Sequence, residues 1–332
     1  MKKNFKRKNQ AVLLLILLMS TIVGIFFSSL SKPQIMAKQA SISPDLLLEQ
    51  LLSCPPGESK TSYACTVPYV VSYLRNNNIE PFFQLLEQKL KTDPKINGYC
   101  HPIGHSIGRA LVQKYGYLDA LNKRNPFCAD GTIMGIMEEF LLKNFESHPS
   151  TNVIVQKAGN ACKEFAKGDP VKSAACIHGT GHGLMPLVDY DPQEGLDLCS
   201  QIKSKDVGSC YDAVFMEKFM PSNPARKVAK TEDLYQYCSS YNSINEQKLR
   251  CFGYLPYAWK EWGKKPMEIL KLCSAPQVDV LGCGRALSRL YLPGFRNKGD
   301  LTFFDIYNSA SPQLQEPMAR FGGIGIVEYL PS

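Results

Sequence analysis

The chain has 332 residues, 44% of them hydrophobic and 20% charged, with a formal net charge of +8. Five of the cationic residues, Lys2, Lys3, Lys6, Arg7 and Lys8, fall within the first ten residues, and beyond them Lys and Arg are interspersed with Asp and Glu. Nucleic-acid binding needs a concentrated basic footprint, and this distribution argues against it.

In chain order, residues 1–10 form a basic tail. An uncharged apolar run, Ala11 to Leu30, follows it. Twenty helical residues span about 30 Å, the hydrocarbon thickness of a bilayer. The basic flank stays on the cytoplasmic side, so the remainder is expected outside the cytoplasm, in the periplasm or at the cell surface. The run is read as an uncleaved transmembrane anchor, with a cleaved signal peptide as the alternative. Contact of the basic tail with anionic lipid fits the same topology. Residues 31–45 read as a linker and residues 46–332 as the exported domain.

That domain carries all twelve cysteines, an even number, which in an oxidising compartment reads first as a disulfide framework. Cys162, Cys199, Cys238 and Cys273 are separated by 37, 39 and 35 residues. Cys176, Cys210, Cys251 and Cys283 are separated by 34, 41 and 32. The two series interleave into couples 10 to 14 residues apart, and Cys54 with Cys65 adds another at 11. Cys100 and Cys128 remain, 28 apart. Spacing alone does not prove connectivity.

A period of 32 to 41 residues is the size of one helix–turn–helix unit. The flanking sequence is helical in pattern. Leu46, Leu47, Leu48, Leu51 and Leu52 form an apolar stripe before Cys54, and Ile269, Leu270 and Leu272 lead into Cys273. Strand-type alternation with Asn-Gly turns is largely absent, so an all-α fold is expected. One helix ends at a cysteine, a short turn follows, and the next helix begins at its partner. A bridge there ties the hairpin, contributing about 3 kcal/mol in the chain-entropy picture. On this spacing, residues 46–290 resemble Sel1-like and tetratricopeptide-type helical-hairpin repeats, especially secreted versions with one disulfide per hairpin. The resemblance implies an array of antiparallel hairpins, solenoid-like in form.

Four of the five histidines form two clusters, His101 with His105 and His178 with His182. Residues four apart share one helix face, where two imidazoles can chelate one ion. The second pair lies in Gly179-Thr180-Gly181-His182-Gly183, which could instead form a non-helical turn with an anion-binding nest. Neither cluster has the Glu of His-Glu-x-x-His, and no Cys-x-x-Cys-His occurs, so that protease class and covalent haem are unsupported. Glu138, Glu217 and Glu328 share a local pattern: two apolar residues, the glutamate, one variable residue and a bulky apolar one. Cys100 and Cys176, beside the histidines, are expected to bridge rather than ligate.

Two readings follow. In the first, His101, His105, His178 and His182 bind iron, copper, zinc or manganese, and Glu138 or Glu217 completes the shell or acts as general base in redox or hydrolytic chemistry. In the second, the domain is a metal-free scaffold for a peptide or protein partner of the cell envelope. A non-covalent haem carrier is a lesser third. The sequence leaves open whether the protein is an enzyme.

Overall fold

The computed structural model describes residues 42–55, 60–125, 128, 130–147, 150–219, 229–230, 233–241 and 245–322. The expected anchor at 11–30, His148 and Glu328 lie outside the described residues. Among the described residues, no helix is long and apolar enough to cross a membrane.

Every regular element among these residues is helical. The helices are α1 (Pro44–Leu52), α2 (Lys60–Asn76), α3 (Glu80–Thr92), α4 (Pro94–Tyr115), α5 (Tyr117–Asn122), α6 (Gly131–Ser147), α7 (Thr151–Ala166), α8 (Pro170–Leu184) and α9 (Pro192–Ser200). Then follow α10 (Val207–Phe219), α11 (Leu234–Ser239), α12 (Asn245–Phe252), α13 (Leu255–Glu261), α14 (Pro266–Cys273), α15 (Val280–Lys298), α16 (Thr302–Ser309) and α17 (Pro312–Gly322).

Local chemistry sets several starts. Ser43, Asp169 and Asp191 each accept hydrogen bonds from backbone N–H groups of the first turn, and a proline follows each of them directly. The side-chain oxygen satisfies donors that lack an intrahelical partner, and proline fixes φ where no N–H is needed. The Ser43 cap starts α1 at Pro44, two residues before the domain boundary expected at 46.

The helices alternate between two rows. The inner row runs α2, α4, α6, α8, α10, α12 with α13, α15, α17, each packed on its neighbours in that order. The shorter outer helices pack on this row and partly on one another, as α1 on α3 and α7 on α9. Apolar side chains such as Phe82, Phe215, Phe252 and Phe303 are fully enclosed. Tyr254 and Trp259 are buried as well.

Five disulfides join the rows, Cys54–Cys65, Cys162–Cys176, Cys199–Cys210, Cys238–Cys251 and Cys273–Cys283, and a sixth, Cys100–Cys128, ties α4 to the loop before α6. The five short couples pair as their spacing suggests, each from the end of one helix to the next inner helix.

Inner helices α4, α6, α8 and α10 approach unusually closely. A Cβ on Gly108 would overlap the Thr132 carbonyl oxygen, and one on Gly135 would overlap the His105 carbonyl oxygen. On α8, a Cβ at Gly181 would lie 2.6 Å from both the Ala213 methyl and the Cys210 carbonyl oxygen. Helical glycine costs about 1 kcal/mol relative to alanine, offset here by backbone-to-backbone packing.

Candidate metal centre

The two histidine pairs lie on α4 and α8, which sandwich α6. The Gly179–Gly183 run is helical throughout, so the second pair keeps its i, i+4 geometry and the turn alternative is not realised. His105 and His182 are the inner members, 0% and 3% exposed, with ring centroids 6.4 Å apart and planes at 89°. The sequence-distant pairs therefore meet.

The two halves repeat each other closely. The Nε2 atoms of His101 and His105 are 3.2 Å apart, and those of His178 and His182 are also 3.2 Å apart. Within each pair the ring centroids lie 4.8 and 4.9 Å apart. The outer histidines turn Nδ1 to backbone: His101 to the Cys128 carbonyl oxygen at 2.8 Å, His178 to that of Ser209 at 3.0 Å. The inner histidines turn Nδ1 to carboxylates: His105 to Glu138 at 3.1 Å, His182 to Glu217 at 2.8 Å. Glu138 is on α6 and Glu217 on α10, each helix next in the row after its histidine helix.

This pattern assigns protons. A carbonyl oxygen only accepts, so His101 and His178 carry their proton on Nδ1 and donate it. The carboxylates draw the inner rings into the same tautomer. In the neutral state all four Nε2 atoms hold lone pairs, and each pair of lone pairs sits at 3.2 Å. Such a contact is repulsive unless a cation or a shared proton lies between.

Electrostatics reinforce the arrangement. Burial pushes the Glu138 carboxyl up, but His105 and Arg109 outweigh it and hold the group at about 2. Arg109 donates to Glu138 Oε2 from Nε at 3.1 Å and from Nη2 at 2.8 Å. Its guanidinium also rests 4.2 Å above the Tyr63 ring. Burial, then the neighbouring His182, holds His178 down to about 4, so its imidazole stays neutral at ordinary pH.

His178 also faces an open cleft of about 600 Å³, lined by Asp130, Met134, Pro170, Val171, Ala174 and Ser209 among others. Asp130, at φ 57°, is close enough to His178 and His101 for their charges to act on its carboxyl. Cys100 and Cys176 are bridged, so neither offers a thiolate.

Among the described residues, no three His, Cys, Asp or Glu side chains gather as one metal-holding group. The nitrogens meet two by two.

Two neighbouring features were not legible in the sequence. Arg109 follows His105 by four residues, one turn further along the same face. Asp212 takes Arg250 and Arg285 on one oxygen, Oδ2, at 2.6 Å each. Position relative to the bridging cysteine would have found Asp212 and Arg285, which lie two residues after Cys210 and Cys283 as His178 lies two after Cys176.

No family model matches the chain, and no curated protein or solved structure is found to be similar to it.

Proposed function

We propose that the protein is an envelope-anchored, extracytoplasmic metalloprotein in which His101 with His105 and His178 with His182 form two adjacent two-nitrogen metal sites. The supporting observation is that each pair brings two Nε2 atoms to 3.2 Å, while Nδ1 of His101, His178 and His182 hydrogen-bond to acceptors and Nδ1 of His105 stands 3.1 Å from Glu138. Two Zn–N bonds of about 2.0–2.1 Å at a tetrahedral angle place their nitrogens about 3.3 Å apart. Metal-binding histidines characteristically donate their other N–H to a carbonyl or carboxylate, which fixes the ring and raises its basicity. Glu138 and Glu217 then act as positioning groups behind the imidazoles, rather than as ligands or general bases.

Two protein nitrogens per ion leave coordination positions for water, hydroxide or substrate. Iron, copper, zinc and manganese all accept such a set, and paired ions support redox or hydrolytic chemistry. Haem is the weaker choice, because a macrocycle needs an open face and His105 is fully enclosed.

The scaffold is read as an array of antiparallel, disulfide-bridged hairpins of the Sel1-like and tetratricopeptide-like kind. The alternating rows and one bridge per hairpin support this. Six disulfides fit an oxidising compartment, and the basic tail with the apolar run at 11–30 supports the anchor.

A second reading rests on the two His–Glu contacts at 2.8 and 3.1 Å, which are also charge-pair distances. Each pair could share one proton between its Nε2 atoms, with the domain serving as a metal-free peptide- or protein-binding scaffold. Cobalt(II) titration separates the readings. The metal reading expects saturable visible absorption bands, lost in His105→Ala/His182→Ala. Unchanged spectra in that variant would remove it.

A further inference from the structure

A group of cationic side chains outside the histidine centre meets Asp212 of α10. Arg285 and Arg289 lie four residues apart on α15, one turn apart on one face. They occupy the same offsets from Cys283, two and six residues, as His178 and His182 occupy from Cys176. The α15 helix packs on α17 much as α8 packs on α10. Two guanidiniums thus stand on α15 where two imidazoles stand on α8.

Arg250 joins them from α12. Its Nη1 and the Nη2 of Arg285 both bind Oδ2 of Asp212, a residue 6% exposed. The remaining carboxylate on Arg250 is Glu246, itself partly in solvent, at 3.1 Å. Two guanidiniums therefore hold one buried carboxylate and one outlying one, and Arg289 stands one turn beyond Arg285. Nε of Arg250 and Oδ1 of Asp212 are both buried with no hydrogen-bond partner, so an acceptor at the cluster meets an unfilled donor and a donor meets an unfilled acceptor. Burial depresses the Arg285 guanidinium, Asp212 opposes that shift, and Arg289 and Arg250 add to it.

Two phenols border the cluster. Tyr254 and Tyr257 stack with ring centroids 5.5 Å apart, and Arg285, Arg289 and Asp212 are close enough to act on both. Burial raises both hydroxyls, keeping them protonated donors. Asp212 and Arg289 are likewise near enough to His178 for their charges to reach it.

We propose that Arg250, Arg285 and Arg289, bordered by Tyr254 and Tyr257, form a binding site for an oxyanionic group, a phosphate or a carboxylate, beside His178. Planar guanidiniums bind such groups through paired N–H donors, and a three-arginine cluster with one buried carboxylate and an unfilled Nε on Arg250 has donors to offer one. Where the metal reading holds, this site names the substrate class: a small molecule with an oxyanionic end held by the arginines and a reacting end at the histidine pair. That link rests on the metal reading. The oxyanion site does not.

The test uses the full chain stripped of metal by chelation. Its melting temperature is followed against sodium phosphate and, separately, sodium acetate, with chloride at equal ionic strength as reference. Arg289 is exposed, so Arg289→Gln removes a donor without disturbing the Asp212 pairs. The proposal expects saturable stabilisation by one or both anions, weakened about tenfold or more in Arg289→Gln. It expects the effect to be retained in exposed Lys271→Gln and in His105→Ala/His182→Ala. Phosphate also stabilises proteins generally by exclusion, so the variant comparison decides. No stabilisation beyond chloride, or equal stabilisation in Arg289→Gln, overturns the site. No cobalt binding by the wild-type chain, with oxyanion binding retained, would strike the metal reading alone.

Discussion

At the residue scale, the account turns on where each imidazole keeps its proton. Carbonyl oxygens of Cys128 and Ser209 and carboxylates of Glu138 and Glu217 all sit on Nδ1, so every Nε2 is left as a donor to a metal. Removing the carboxylate charge should loosen that control. Glu217→Gln is expected to weaken cobalt(II) binding about 10–100-fold, measured by titration, with little change in melting temperature. Glu138→Gln should do the same and also destabilise the fold by about 3 kcal/mol, because it leaves Arg109 without its buried partner. Equal affinities in the wild type and Glu217→Gln would show that the carboxylates do not position the rings.

A pH dependence follows from His178. Its folded value of about 4 lies below the 6.5 of an unconstrained imidazole. Between those values the unfolded chain binds the extra proton, so stability is complete above about pH 6.5 and falls as the pH drops toward 4. The melting temperature of the metal-free protein should decline across that window, and His178→Gln should flatten the decline. A melting temperature that rises on acidification from pH 6.5 to 4 would contradict this.

At the scale of elements, glycine contacts set the distance between the histidine helices. Gly181 lets α8 close on Ala213 and Cys210 of α10, and that closure carries His182 to Glu217. Gly181→Ala should therefore cost about 1–3 kcal/mol through overpacking and weaken cobalt binding, while far-ultraviolet circular dichroism stays helical. Unchanged stability and affinity would show that the seam does not govern the site. This is also where legibility in the sequence ran out. The His-x-x-x-His spacing was readable because helix geometry is local. The helicity of Gly179–Gly183 was not, because its intrinsic propensity points away from helix and only the neighbouring helices reverse it. The Glu138 and Glu217 pattern was readable, but whether a carboxylate faces a metal or stands behind a ring depends on packing between α6 and α4, or α10 and α8.

At the scale of the molecule, five bridges hold two rows of helices in register and a sixth ties α4 to the loop before α6. The short couples were legible because a hairpin returns its ends within a dozen or so residues. The cationic cluster was not, since Asp212, Arg250 and Arg285 come from three inner helices and meet only when the row is assembled. Bridges at different places should have separable effects. Cys54→Ser/Cys65→Ser and Cys162→Ser/Cys176→Ser should each cost about 3 kcal/mol in thermal melts. Only the second should weaken cobalt binding, because Cys176 lies two residues before His178. Equal losses of affinity in both would mean that the bridges act on the site only through global stability.

The central claim is that paired imidazoles from α4 and α8 hold metal. The full chain, purified without a polyhistidine tag and without added metal, should be analysed by inductively coupled plasma mass spectrometry beside His105→Ala/His182→Ala. The account predicts one or two equivalents of a transition metal per chain in the wild type and a trace in the variant. A folded wild-type protein with substoichiometric metal, or equal metal in both, would contradict it.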